Sequence, residues 1–293
     1  MTRRKKLFYL LGLTGVFIIV VPLLVLFSSG YRLDSRFRPV KTGGIYLANK
    51  EPDIIVKLDK KNIKKAGMFE KNMLVDDLMP KIYYVTVEKD GYKTWKKNIK
   101  VEEQKVEVCY PLLIPVKLNP QLVPKYLSKG ENKDTKQREA NEEYSEAMKL
   151  FSTNDKGSGK GIIPASENDD VKKYGLGANR KLYKKVLLFR QKNKIYVKWT
   201  GTDQKRPFFI DSSDEKLVFF PSKKILSFAF FPGRHDSMLV LLENHSLYAV
   251  EIDTRFDIHN IYQLVSNCSK FAVKDEFLYY LSRRDLYKID LEP

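Results

Sequence analysis

The chain has 293 residues, a formal net charge of +17 and 43% hydrophobic residues. That length predicts two modest domains, or one domain and a long linker, beyond any membrane segment. Its two cysteines, Cys109 and Cys268, are too few for a disulfide-built fold and too far apart for a metal or redox pair. We therefore interpret both as small buried apolar residues.

The first predicted element is a transmembrane helix at residues 7–27. This run of 21 uncharged, largely apolar residues follows a basic tail, residues 1–6. At about 1.5 Å per residue it spans roughly 31 Å, enough for a hydrocarbon core of about 30 Å. A cleaved signal has a shorter apolar core of about 7–15 residues, so we favour an uncleaved anchor. The small residues Ser28, Ser29 and Gly30 leave cleavage as the alternative.

The distribution of positive charge predicts the orientation of the membrane helix and argues against nucleic-acid binding. Four cations lie directly before the apolar run, which places the N-terminus in the cytoplasm and the bulk of the chain outside; a cytoplasmic body is the alternative. Residues 1–42 carry +7, residues 43–119 carry +4, residues 120–179 are neutral and residues 180–293 carry +6. The segments that flank the membrane helix carry the largest excess of positive charge per residue. The charge of the remaining chain is therefore only mildly positive, and we predict no nucleic-acid partner.

Residues 43–118 have the pattern of a small antiparallel β-sandwich. Short stretches rich in β-branched and aromatic residues are separated by polar, Gly or Pro breaks. Asp90-Gly91 is a strong hairpin signal, because glycine accepts a positive φ. The predicted strands are Gly44–Asn49, Ile54–Asp59, Ile82–Lys89, Trp95–Val101 and Lys105–Val108.

Within this region the residues resemble the PEGA domain family. The most specific match is Lys89 to Trp95, which fits a Lys-x-Gly-Tyr-x-x-Trp segment. Three departures stand out: Pro52–Ile55 replaces the eponymous tetrapeptide, and Lys60 and Lys81 stand where the family has glycine. The other matching segments are Gly44–Leu47, Glu51-Pro52, Val56–Asp59, Leu78–Pro80 and Tyr83–Val87.

The resemblance implies an extracytoplasmic or surface-associated domain of a family with no agreed enzymatic activity. We expect Tyr92 and Trp95 to lie in the sandwich core, where each ring buries a large apolar area. The stretch Lys60–Met73 is longer and more charged than the family's loop, and we expect its lysines to be solvated. The whole chain resembles single-pass, membrane-anchored bacterial proteins that contain this domain.

Residues 119–177 form a predicted linker with one short helix. Tyr144, Met148 and Phe151 fall at helical spacing within residues 136–151. The glycine-rich stretch 157–161 lacks the Gly-x4-Gly-Lys-Ser/Thr pattern of a phosphate loop, and we interpret it as linker.

Residues 178–293 contain three hairpins of one design, which predict a β-propeller-like repeat region. In each hairpin a tyrosine follows a residue of the preceding strand by seven positions. Residues 227–236 are similar to the innermost strand and turn of WD-type blades. Because propellers close with about 4–8 blades, residues 160–185, a second chain or an open sheet remain as alternatives. The hairpins are Val186–Phe189 with Ile195–Val197, Met238–Leu242 with Leu247–Val250, and Phe277–Leu281 with Leu286–Ile289.

The predicted fold class is therefore mainly β: one transmembrane helix, a PEGA-like sandwich, and propeller-blade-like repeats that are partial or open. We predict a non-catalytic, membrane-tethered scaffold that recognises a protein partner or a cell-envelope polymer. The sequence nominates no catalytic, cofactor-binding or metal-binding residue and no cofactor. The alternatives are an envelope hydrolase with a site on the propeller-like face and a basic surface that binds an anionic envelope polymer. The oligomeric state stays open.

Overall fold

The chain begins with one long apolar helix. The structure is a computed structural model, and it describes residues 3–34, 36–49, 51–59, 61–65, 72–125, 135–155, 176–253, 255–256 and 259–291. Helix α1 runs from Arg3 to Ser28. Its stretch Phe8–Ser28 is the one helix of the described residues that is long and apolar enough to cross a membrane, a test that signal sequences also meet.

A small hairpin connects this helix to the sandwich. Strands β1 (Tyr31–Leu33) and β2 (Pro39–Lys41) pair antiparallel. The Arg32 guanidinium donates to the Phe27 carbonyl oxygen at 2.9 Å and forms an ion pair with Asp77 at 2.7 Å. One side chain therefore joins the helix end to the next domain.

The predicted β-sandwich is confirmed, with two strands that the sequence did not predict. Strands β3, β4, β5, β6, β7, β8 and β9 are Gly43–Ala48, Ile55–Leu58, Lys61–Lys65, Asn72–Leu78, Ile82–Glu88, Trp95–Lys100 and Val106–Cys109. One sheet has the order β6-β3-β9 and the other β5-β4-β7-β8. The β3–β9 pair is parallel, which corrects the purely antiparallel prediction. A parallel pair needs a crossover, and β4, β7 and β8 in the opposite sheet provide it.

Two of the departures from the PEGA pattern, at Pro52–Ile55 and at Lys81, lie where the described chain turns into the next strand. Asp53 and Asp59 adopt left-handed conformations, with φ of 57° and 49°, which Asp tolerates better than most side chains. The Asp59 carboxylate accepts hydrogen bonds from Lys81 at 2.7 Å and from the Tyr84 amide at 3.0 Å. The bond from Lys81 lowers the pKa of Asp59. Residues 60 and 66–71 of the predicted charged loop lie outside the described residues.

The predicted linker 119–177 needs a correction at its start. Residues Gln121–Val123 form strand β10, which joins the last sheet of the chain. Helix α2 follows from Thr135 to Asp155 and includes the predicted helical stretch 136–151. The glycine-rich stretch 157–161 lies outside the described residues.

The remaining strands confirm the blade-like repeats. Three four-stranded antiparallel sheets are present, with the strand orders β11-β12-β13-β14, β15-β16-β17-β18 and β10-β21-β20-β19. We call them the first, second and third sheets. Each predicted hairpin supplies the two middle strands of one sheet. The strands β11 to β21 are Arg180–Tyr183, Val186–Gln191, Lys194–Trp199, Lys216–Phe219, Ile225–Phe230, Ser237–Leu242, Leu247–Glu251, Ile261–Val265, Lys270–Lys274, Phe277–Ser282 and Asp285–Asp290.

The three sheets pack face to face in an open stack. Alternate residues of the buried strand β16 point to opposite neighbours: Met238 and Val240 pack against the first sheet, Leu239 and Leu241 against the third. This is the two-residue period expected of a strand buried on both faces. The core of the sandwich is continuous with the core between the second and third sheets.

Helix α2 covers the outer face of the third sheet. Ala147 and Phe151 are buried there against Val123, Tyr279 and Leu286. Glu143 of α2 accepts hydrogen bonds from the Tyr279 hydroxyl at 3.0 Å and from Lys288 at 2.7 Å. The helix is therefore part of the folded body. Strand β10, which precedes the helix in the sequence, forms one edge of the same sheet.

Replacement of Phe151 by alanine tests this role of α2. The ring is 4% exposed, so Phe151→Ala should lower the free energy of unfolding by about 3–5 kcal/mol. The matched control is Lys149→Ala, an exposed position on the same helix, where a change within about 0.5 kcal/mol is expected. Chemical denaturation of the full chain in detergent measures both; equal effects would show that α2 does not pack on the sheet.

Candidate functional site

The described ionisable residues converge most closely where the sandwich meets the second sheet. Lys97 is fully buried, and its Nζ lies 2.9 Å from Glu251 Oε2 and 3.2 Å from Asp253 Oδ2. Both carboxylates are also buried. A charge so far from water is tolerated only when it is paired and hydrogen-bonded, and here each charge has a partner across the domain boundary.

Arg255 extends the contact to a second strand of the sandwich. It lies 3.0 Å from Asp253 Oδ2, 3.1 Å from Glu107 Oε2 and 2.7 Å from the Val108 carbonyl oxygen, to which it donates. Burial opposes its charged form, but the hydrogen bonds to Asp253 prevail and raise the pKa of Arg255. We call Lys97, Glu107, Glu251, Asp253 and Arg255 the interdomain ion cluster.

Neutral groups satisfy the remaining oxygens of Glu251. The Trp95 indole donates to Oε1 at 3.1 Å, and the Asn260 side-chain amide donates to Oε2 at 2.9 Å. Asn260 also accepts from the Lys96 amide at 3.1 Å and donates to the Lys96 carbonyl oxygen at 2.9 Å. Trp95 is fully buried, as predicted, but it serves the domain boundary as well as the sandwich core.

A second ion pair secures the segment that follows the sandwich. Arg234 pairs with Asp236 at 2.7 Å and donates to the carbonyl oxygens of Tyr110 at 2.8 Å and Pro111 at 3.2 Å. The Tyr110 ring stacks on Phe208 of the loop between β13 and β14, with centroids 4.7 Å apart. The sandwich therefore contacts both the second sheet and the loops of the first.

The sequence contains a signal for the ion cluster, namely a charged residue on the apolar face of a strand. In β8, the two-residue period places Lys97 on the same face as the buried Trp95 and Ile99. In the same way, Glu251 lies on the face of Leu247 and Ala249 in β17. A charge on the apolar face of a strand predicts a buried charge in each domain, and the structure shows that the two charges pair with each other.

Positive charge is concentrated on the first sheet and its loops. Residues 180–224 hold 13 Lys and Arg against 4 Asp and Glu, whereas residues 225–293 hold 7 against 10. The net charge of +6 over residues 180–293 is therefore the sum of a basic part and an acidic part. Such a field attracts polyanions to one region of the surface.

Two loops bring several of these cations together at one end of the sheet. The Asn193 amide donates to the carbonyl oxygens of Pro221 and Lys223, both at 3.1 Å, and its Oδ1 accepts from the Ile225 amide at 2.8 Å. Lys194 Nζ lies 4.8 Å from the centre of the Phe220 ring, which is 63% exposed. We call Arg190, Lys192, Lys194, Phe220, Lys223 and Lys224 the basic end.

An open cleft of about 300 Å³ lies on the outer face of the same sheet. Its lining includes Arg180, Phe189, Lys198, Trp199 and Glu215, and Lys198 forms a 3.3 Å ion pair with Glu215. The outer face of the first sheet thus places cations over largely buried aromatic rings.

His235 and both cysteines are packed within the fold. The His235 ring packs 5.0 Å from that of Phe209, and its burial lowers the pKa of His235. Cys109 and Cys268 are free and buried, and burial raises the pKa of each thiol to about 12. Among the described residues, no group of three or more His, Cys, Asp or Glu is placed to hold a metal ion.

A family model matches part of the chain. Residues 55–113 match the model of the PEGA domain, so the chain contains such a domain within its sandwich. Strand β3 precedes the matched range yet lies at the centre of a sandwich sheet, so the folded domain begins at Gly43. No curated protein matches the chain.

One solved structure shows a limited similarity. The N-terminal domain of Nup159 shares 16% identity with this chain, with 36% of this chain and 24% of that chain covered and a TM-score of 0.27. The chain thus spans about a quarter of that chain's length. A score this low supports no argument about function, and the description of the sheets as blades rests on their own strand order.

Replacement of Lys97 by methionine tests the ion cluster. Loss of the ammonium leaves Glu251 and Asp253 buried beside each other, so Lys97→Met should lower the free energy of unfolding by about 3–5 kcal/mol. Lys100→Met is the matched control, because Lys100 lies on the same strand but points to solvent, and a change within about 0.5 kcal/mol is expected. Denaturant titration of the two full-length variants compares them; a Lys97→Met protein as stable as the control would contradict the account.

Proposed function

We propose that this chain is a single-pass, membrane-tethered binding protein of a bacterial cell envelope, with its N-terminus in the cytoplasm and its body outside. The apolar helix and the PEGA domain support this location. In this proposal α1 is retained as an anchor, and the first sheet recognises a partner at the cell surface.

The observation that carries the proposal is the interdomain ion cluster. It joins the sandwich to the stacked sheets, and Arg32 joins the sandwich to the helix end, so the first sheet is held on a continuous body. Glu251 and Asp253 are buried against Lys97 and Arg255, which makes them unsuitable to meet a substrate. A scaffold therefore fits these residues better than the envelope hydrolase does, and we propose that the protein is not an enzyme.

The basic end favours an anionic cell-envelope polymer as the partner. Cations that two loops hold together, beside an exposed aromatic ring, suit a chain of phosphate or carboxylate groups. The neighbouring cleft adds Arg180 and Lys198 to the same sheet. A protein partner with an acidic surface is the second candidate, and the same charges favour it.

Loss of charge at the basic end should weaken binding of a polyanion. Each cation near an anionic surface contributes about 1 kcal/mol, so Lys192→Gln, Lys223→Gln and Lys224→Gln together should lower the affinity for long-chain polyphosphate about a hundredfold. The matched control neutralises three exposed lysines of the sandwich, Lys96, Lys100 and Lys105. Titration of the full chain in detergent, at several salt concentrations, measures both. Equal losses in the two triple variants would argue against a localised site.

Protease treatment of intact cells tests the outward topology. With a tag at the C-terminus, we expect external protease to remove the tag while a cytoplasmic marker protein stays intact. A tag that is protected until the cells are lysed would place the body in the cytoplasm and overturn the location.

A further inference from the structure

The hairpin β1–β2 carries an exposed aromatic residue next to the membrane helix. Phe37, at its tip, is 83% exposed, and Leu33 at the end of β1 is 62% exposed. Arg36 and Arg38 flank Phe37 and are exposed as well. Apolar side chains with adjacent arginines are the composition of segments that lie in the headgroup region of a bilayer.

The conformation of the tip aims Phe37 outward. The Asp34 carboxylate accepts the amides of Arg36 at 2.7 Å and Arg38 at 2.8 Å, and the Phe37 amide donates to the Asp34 carbonyl oxygen at 3.0 Å. Phe37 has a φ of 56°, a left-handed conformation that glycine adopts freely and a bulky side chain adopts at a cost. The chain therefore bears backbone strain and exposes an aromatic ring at one residue, a combination that suggests function.

Contacts at the hairpin base keep it close to the end of α1. The Arg32 guanidinium lies 3.6 Å from the centre of the Phe27 ring and bonds to the Phe27 carbonyl oxygen. Thr42 closes the base: its amide donates to the Gly30 carbonyl oxygen at 2.9 Å, and its hydroxyl donates to the same atom at 3.0 Å. With three residue pairs and a turn, the arm is roughly 10–15 Å long, so its tip lies within that distance of the end of α1.

We propose that the β1–β2 hairpin is a second membrane contact, in which Phe37 enters the lipid interface and Arg36 and Arg38 bind anionic phospholipid headgroups. The proposal rests on α1 as an anchor. It adds a fixed orientation, because two contact points, one in the bilayer and one on its surface, prevent the body from rotating freely about the helix.

A fluorophore at the hairpin tip tests this contact. Cys109 and Cys268 are buried, so Phe37→Cys in the full chain places one accessible thiol at the tip for an environment-sensitive NBD label. The matched control is Ile82→Cys, an exposed apolar residue of the sandwich that lies outside the basic end. Both proteins are reconstituted into vesicles of phosphatidylcholine with or without phosphatidylglycerol. In the phosphatidylglycerol vesicles, the label at position 37 should show blue-shifted emission and quenching by spin-labelled lipid, at a depth of roughly 5–10 Å below the headgroup boundary.

Three results would contradict the inference in distinguishable ways. Equal quenching at positions 37 and 82, with α1 resistant to alkaline extraction, would overturn the membrane contact while leaving the anchor intact. Quenching at position 37 that is the same without phosphatidylglycerol, or unchanged by Arg36→Gln with Arg38→Gln, would overturn the headgroup assignment. Extraction of the protein by alkali would overturn the anchor and this inference with it.

Discussion

The fold depends on one buried contact between charges that lie 154 and 156 residues apart in the sequence. Lys97 in the sandwich, Glu251 at the end of the central strand β17 and Asp253 just after it are buried. Burial of these charges is tolerated because they pair with one another and with Arg255, Trp95 and Asn260. If the two domains separated, an ammonium and two carboxylates would each be exposed to solvent together with Trp95 and the apolar core around it. The ion pairs fix the relative orientation of the two domains, and the burial of the shared apolar core supplies the favourable free energy.

The other contacts extend this arrangement towards both ends of the molecule. Arg32 connects the last turn of α1 to Asp77 in the sandwich, and helix α2 covers the outer face of the third sheet. Helix α2 covers the stack at the third sheet. The first sheet, at the opposite end of the stack, carries the cleft and the basic end. A tethered body with a covered face at one end and a basic surface at the other is suited to present that surface to a partner.

Local sequence patterns predicted most of the β structure. The three hairpins were recognisable because each combines a two-residue apolar period with a polar turn. The turn at Asp90-Gly91 was recognisable because Asp-Gly is typical of hairpin turns, and Gly91 there has a φ of 76°. Strand β10 was not predictable, since three residues carry too little pattern and its partner β21 lies more than 150 residues away. The parallel pairing of β3 with β9 likewise depends on a crossover through another sheet. For the ion cluster, the period places Lys97 on an apolar face, but its partners become evident only when the two domains are brought together.

Amide hydrogen exchange of the full chain tests most directly whether the ion cluster joins the two domains. If it does, the strands β7 and β8 of the sandwich and β16 and β17 of the second sheet should exchange through a common opening, with similar free energies. Lys97→Met should lower those free energies together, while Lys100→Met leaves them unchanged. Two results would contradict the claim that the ion cluster joins the two domains. The sandwich strands could exchange independently of the second sheet, or their amides could stay equally protected from exchange in the Lys97→Met variant.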